Sequence, residues 1–330
     1  MIISKTPLRL SLAGGGTDLP EYYSKYGCHL ITSAINKHIY IFIKKWFEPA
    51  IRVSYSKTEI VNDFKKIKHP FIRESLNYFK LNSNVEISIM ADLPAGTGMG
   101  SSGSFAVGFL NALSTYKNKK LNEQNLAELA FKLQHDVLNE SGGKQDQYAA
   151  AYGGIISMTI AKSGKVKVEK LKIKTNTINE LENRLICFYT GKKRSASKLQ
   201  KEYCKNITNE KQKVIESLHD IQKITKPMIS YLKSGNVDEI GTLFAQHWNA
   251  KKNISDKISN PNFEKFYDKA IKSGAIGGKL LGAGGGGYML FLCKSGKKNS
   301  VKRTMNKVGL IDIPISISEG GSNTHNSLKF

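Results

Sequence analysis

Between Leu93 and Ser104 the chain reads Leu-Pro-Ala-Gly-Thr-Gly-Met-Gly-Ser-Ser-Gly-Ser, with strand-like residues before it and helix-like residues after it. Glycines let backbone approach a phosphate closely. A helix N-terminus then adds unpaired N–H groups at the positive end of its dipole. Ser101 and Ser102 stand at that junction, where hydroxyls can meet phosphate oxygens or a magnesium ion. A serine-capped turn would need fewer glycines, so the segment reads as an anion site.

Two further segments carry possible chemistry. Thr6 to Asp18 sets a cation, Arg9, and a carboxylate, Asp18, around the glycines Gly14, Gly15 and Gly16. Arg9 alternates with Leu8 and Leu10 on a strand and so faces away from them; Asp18 also reads as a helix N-cap. Gly277 to Tyr288 is a glycine-rich stretch followed by a strand, where backbone must approach a ligand or another loop closely.

Gly98 to Gly103 matches GxGxxG, the dinucleotide fingerprint, which requires an acidic residue about 20 positions on at a strand end. Here residues 119–130 open a helix, so Glu123 is misplaced for that role. No GxxxxGK[ST] occurs, and the protein-kinase motif set is absent.

In order and spacing, the three segments resemble motifs 1, 2 and 3 of the GHMP kinases, a resemblance that runs from residue 6 to 292. The stretches SLAGGGTD, GGKQDQYAAAYGG (142–154), TGKKRSAS (190–197) and AIGGKLLGAGGGG (275–287) resemble the D-glycero-D-manno-heptose 7-phosphate kinase branch of that family. Galactokinases carry an acidic-histidine pair where this chain has Gly15-Gly16. Fucokinase-like sugar-1-kinases and a non-catalytic sugar- and ATP-binding regulator are the rival expectations.

The resemblance implies an ATP- and magnesium-dependent transfer to the anomeric hydroxyl of a heptose 7-phosphate. Asp146 matches the catalytic carboxylate, which takes the hydroxyl proton, and Arg9 the motif 1 cation, which stabilises charge on the phosphoryl group. Pro94, Gly96, Thr97, Gly98, Met99, Gly100, Ser101, Ser102, Gly103 and Ser104 would cradle ATP, with Ser102 also helping to hold Mg²⁺. Gly14, Gly15, Gly16, Thr17, Asp18 and Gly284 would meet the sugar, and Arg194 and Lys279 its 7-phosphate. His247 and Trp248 read equally as sugar contacts or as a packed helix face.

One position departs from the pattern. Relatives carry a glutamate twelve residues before the catalytic aspartate, where this chain has Gln134, a poor Mg²⁺ ligand. Asp136 is the nearest carboxylate in sequence, on a different helix face, which leaves the second ligand open.

These residues need a framework, and the chain has the length for one. Its 330 residues are 40% hydrophobic and 23% charged, an ordinary globular composition with no apolar run long enough to span a bilayer. The start, Met1 to Lys5, has no signal-type stretch, and the four scattered cysteines fit a reducing compartment, so a cytoplasmic location is expected. The net charge of +23 comes from dispersed lysines, with only Arg9, Arg52, Arg73, Arg184, Arg194 and Arg303 as arginines. Base readout favours arginine, so nucleic acid is not an expected partner. ATP and a phosphorylated sugar are, and a homodimer is an open option.

Strands are expected at 2–12, 38–46, 85–89, 155–160, 165–173, 185–189 and 311–317, with strand–loop–strand over 279–293. Helices are expected from Ser102, then over 122–139, 209–233, 236–252 and 260–272. Strands and helices mixed in both halves predict a two-domain α+β protein. The resemblance makes residues 1–180 an ATP-binding domain like ribosomal protein S5 domain 2, and 181–330 a ferredoxin-like domain.

Overall fold

The structure is a computed structural model that describes residues 1–191 and 196–326, without the side chains of 196–198. The first part of the chain runs β1 (Ile2–Ala13), α1 (Pro20–Tyr26), β2 (Cys28–Lys45), β3 (Ile51–Ser54), β4 (Thr58–Val61), α2 (Pro70–Tyr78) and β5 (Val85–Ala91). Then come α3 (Ser101–Tyr116), α4 (Glu123–Lys132), α5 (Gln145–Tyr152), β6 (Ile155–Ile160), β7 (Val166–Lys170) and α6 (Thr175–Arg184). The later part holds β8 (Leu185–Tyr189), α7 (Ala196–Thr208), α8 (Gln212–Lys223), α9 (Thr225–Ser234), α10 (Val237–Lys252) and α11 (Pro261–Ser273). It ends with β9 (Ala275–Leu280), β10 (Tyr288–Cys293), α12 (Lys298–Lys307), β11 (Ile311–Ile313) and β12 (Asn323–Asn326).

Two sheets organise these elements into an α+β fold. The first has eight strands in the order β12-β1-β2-β5-β3-β4, with β6 on the early half of β2 and β7 beyond it. β2 begins at Cys28, ten residues before the expected start at His38, because Cys28 to Ser33 pair with β6 and the run from Ile39 pairs with β5. Helix α3 lies against β1 so closely that a Cβ at Gly108 would sit 2.6 Å from Thr6 Oγ1. Leu8, Leu10 and Leu12 of β1 fill the core at that contact.

The second sheet is β11-β8-β10-β9, all antiparallel, with every residue of β10 buried. Helix α10 presses on β9, where a Cβ at Gly277 would meet Gly241 O at 2.1 Å. Trp248 of α10 is fully buried and stacks on Tyr267, so it is a core residue. The helix expected over 209–233 is two, α8 and α9, meeting at Ile224. Pro227 explains the break: it offers no N–H to Lys223 O, and its ring would crowd that carbonyl, yet it fits a helix's first turn.

The chain then returns to the first sheet. β12 pairs with Ile2 to Lys5 of β1, and Ser322 bonds Thr6 Oγ1 at 2.8 Å and Asn111 Nδ2 at 2.9 Å. Among the described residues, no helix is long and apolar enough to cross a membrane, and all four cysteines are free and buried.

Candidate active site

A cleft of about 250 Å³ gathers residues from β1, the loop before α3, α5, α10 and the loop after β9. At its centre Arg9 reaches across from β1 to Asp146, in the first turn of α5. Arg9 Nε and Nη2 both lie 2.7 Å from Asp146 Oδ1, and Nη1 donates to Gly98 O at 2.7 Å. Among the described residues no hydrogen bond falls on Asp146 Oδ2, on a side chain 29% exposed to the cleft. Lys144 anchors the start of α5: its ammonium lies 2.8 Å from both carboxylate oxygens of Glu128 and over the Phe131 ring.

The loop before α3 approaches this pair through its glycines. Gly96, Gly98 and Gly100 have φ of 76°, 90° and 74°, a left-handed conformation that side chains resist. A Cβ at Gly103 would lie 2.4 Å from Asp146 Cβ, so only glycine lets α3 and α5 meet there. Gly100 caps α3 without a side-chain hydrogen bond, and Ser101 and Ser102 follow as its first residues, facing the cleft. This helix end can receive an anion. The third glycine segment packs on the second: a Cβ at Gly98 would meet Leu281 O at 2.6 Å, and one at Gly287 would meet Thr97 O at 2.2 Å.

Of the residues singled out in the sequence, Arg9, Gly15, Gly16, Asp18, Gly96, Gly98, Gly100, Ser101, Ser102, Gly103, Asp146 and Lys279 line the cleft. Others support it from behind. Ser104 Oγ bonds Pro7 O at 2.8 Å, Thr97 Oγ1 bonds Pro94 O at 2.8 Å, and Met99 is core. Thr17 Oγ1 closes the first glycine turn on Gly14 O at 2.7 Å. A Cβ at Gly284 would press on Ile258 at 2.9 Å. Arg194 lies outside the described residues.

Asp18 is not the cap of α1, whose N-cap is Leu19. Its Oδ2 accepts from Gln145 N at 2.9 Å and its Oδ1 from Gly16 N at 3.1 Å, tying the first glycine turn to α5. Burial raises its pKa above the ordinary carboxylate value, against the opposing pull of the Gln145 N–H.

On the α10 side the wall is basic. His247 and Lys251 project from α10 and Lys279 from β9. Sequence reasoning left His247 undecided and missed Lys251, although the two stand four apart on one helix face. Burial lowers the basicity of all three, Lys251 to about 7.

The backbone beside Gln134 departs from a regular α-helix. After α4 the chain makes a π-helical turn, Leu133–Val137, in place of the continuous helix expected over 122–139. The turn brings Glu140 beside Gln134, whose Nε2 donates to Ser102 Oγ at 2.8 Å and to Glu140 Oε2 at 3.0 Å. Such turns concentrate at functional sites. Asp136 is turned to His135 Nδ1, 2.9 Å away.

Family models described as "GHMP kinases N terminal domain" and "GHMP kinases C terminal" match residues 64–154 and 228–310. The D-glycero-alpha-D-manno-heptose 7-phosphate kinase of Campylobacter jejuni is 32% identical over 321 residues, 93% of each chain. This chain belongs to the GHMP kinases. The kinase is therefore an ATP-dependent phosphotransferase, and its relatives place it among the sugar kinases. A crystal structure of a D-glycero-D-manno-heptose 1-phosphate kinase from Bacteroides thetaiotaomicron superposes with TM-score 0.82 at 26% identity, covering 99% of both chains. A sugar kinase structure from Campylobacter jejuni, described as putative, gives 0.78 at 28% identity over 98% of both.

Proposed function

We propose that this GHMP kinase transfers the γ-phosphoryl group of ATP to the anomeric hydroxyl of D-glycero-D-manno-heptose 7-phosphate, giving the 1,7-bisphosphate. The product would feed nucleotide-activated heptose for surface polysaccharide, and the reaction would run in the cytoplasm. The observation that carries the proposal is the 32% identity sustained through 93% of the Campylobacter heptose kinase. The cleft supports it with a free carboxylate oxygen, a cation and an open helix N-terminus within one wall-to-wall span.

In this mechanism the sugar hydroxyl attacks the γ-phosphorus as the bond to the bridging oxygen of ADP breaks. Asp146 Oδ2 takes the hydroxyl proton, while Arg9 holds Oδ1 and faces the charge on the moving phosphoryl group. The N–H groups opening α3 hold nucleotide phosphate. Mg²⁺, when bound, neutralises phosphate charge. Ser102 and Glu140 would hold it: both are hard oxygen donors, and both are hydrogen-bonded to one Gln134 amide group.

The assignment of Glu140 makes a prediction. Glu140→Gln raises the Mg²⁺ concentration for half-maximal rate by roughly tenfold or more, and weakens Mn²⁺ binding to the nucleotide complex read by electron spin resonance. Asp136→Asn changes neither. Equal metal dependence in both variants removes Glu140 from the site.

The substrate is tested by coupled ADP release on heptose 7-phosphate, mannose, fucose and galactose. Turnover confined to heptose 7-phosphate is expected. Turnover of fucose instead would keep the chemistry and discard this substrate. ATP binding with no turnover of any sugar would point to a non-catalytic regulator.

A further inference from the structure

Where β1, β9 and α10 meet, four basic side chains converge, and among the described residues an acid answers only one of them. Arg9 is paired with Asp146. Lys279, 1% exposed, gives one hydrogen bond to Leu12 O at 2.7 Å and lies 5.0 Å above the Phe244 ring. Lys251, 8% exposed, bonds Leu280 O at 2.9 Å and also Gly282 O. His247, 3% exposed, has no partner at either ring nitrogen among the described residues.

In its charged form each lysine carries three donors, so a charged Lys279 has two unused and a charged Lys251 one, and the imidazole adds at least one more. Buried donors without acceptors are costly, and a helix that only needed packing would place apolar residues here, as α10 does at Phe244 and Trp248. All three side chains line the same cleft as Asp146. An acceptor-rich anion would satisfy these donors.

We propose that His247, Lys251 and Lys279 form a subsite for a phosphate dianion, separate from the glycine loop that opens α3. It deepens the proposed function and rests on it for the identity of the ligand. The same chemistry fits two sources: the phosphate already on the acceptor sugar, or the phosphoryl group leaving the nucleotide. Lys279 was expected at the acceptor phosphate from the sequence; His247 and Lys251 complete its surroundings.

The subsite couples binding to protons. His247 faces Lys279 and Lys251, the two lysines face each other, and both face Arg9, so mutual repulsion adds to burial in holding their basicity low. A dianion favours the charged forms, so its arrival draws protons from solvent above pH 7. Affinity consequently falls as pH rises, by up to about tenfold per pH unit for each proton taken up.

The test is calorimetric titration of the full chain at pH 8 in buffers of different ionisation enthalpy, with heptose 7-phosphate, AMPPNP and inorganic phosphate as separate probes. At least one probe is expected to bind with uptake of about one proton. His247→Gln and Lys251→Met should weaken that probe by roughly 10- to 100-fold and abolish the uptake. His247→Gln is the cleaner variant because the imidazole holds no protein group; Lys251→Met is read beside its melting curve. A response to heptose 7-phosphate assigns the acceptor's phosphate, and a response to AMPPNP alone assigns the nucleotide's. Proton-coupled binding of inorganic phosphate by a chain that turns over no heptose phosphate keeps the subsite and discards the proposed substrate. Unchanged affinity in both variants, with no proton exchange for any probe, overturns the proposal.

Discussion

Asp146→Asn is expected to lower kcat by about 10²–10⁴-fold, the scale of a lost general base, while ATP binding measured by a fluorescent analogue stays near that of the unsubstituted chain. The geometry makes this substitution informative. The asparagine oxygen can still accept both Arg9 contacts that now fall on Oδ1, so the cleft keeps its shape. The amide nitrogen replaces Oδ2, the one atom free to take a proton, and an amide nitrogen accepts none. A near-normal single-turnover rate would take Asp146 out of proton transfer.

Arg9→Met has a broader expected effect, because one guanidinium does two jobs. It meets Asp146 through two nitrogens and holds Gly98 O through the third. Loss of a positioned cation beside developing charge lowers kcat by about 10²–10³-fold. Releasing Gly98 O also loosens the loop before α3, proposed to lead into the nucleotide-phosphate site, so KM for ATP should rise by several-fold, on the order of one lost charge-assisted hydrogen bond. Arg9→Lys keeps the charge but not the planar fork, and should recover part of kcat without restoring KM. A change in KM alone would make Arg9 a loop tether only.

Much of this site was legible in the sequence because glycine leaves a visible mark. Backbone with φ near 75° or 90° at Gly96, Gly98 and Gly100, and the α3–α5 contact at Gly103, restrict the choice of residue so strongly that the pattern reads directly. Side-chain direction leaves no such mark. Ser104 and Thr97 sit in the same motif as Ser101 and Ser102 yet turn inward, since the neighbouring carbonyls of Pro7 and Pro94 claim their hydroxyls.

Glu140 was invisible for another reason. A π-helical turn has no composition of its own, and counting back twelve residues from Asp146 lands on Gln134, with Asp136 the nearest carboxylate in sequence but on a different helix face. Lys251 was hidden by its type: among 50 basic residues, a lysine buried beneath a cleft looks like any surface lysine until the helix is packed. The division of α8 from α9 could have been read from Pro227, whose missing N–H was present in the sequence throughout.

The return of residues 322–326 to the first sheet bears on how the protein is made. During synthesis, Ile2 to Lys5 form among the earliest segments of β1, yet their outer hydrogen-bonding edge is closed only by Asn323 to Asn326. Until then that edge offers unpaired N–H and C=O groups, the kind of surface on which nascent chains pair wrongly. Gly321 also packs under Ala151, at the back of the helix that carries Asp146. The ribosome therefore delivers the whole second sheet before the helix bearing Asp146 gains this support, and a stalled or shortened nascent chain would keep an adhesive edge.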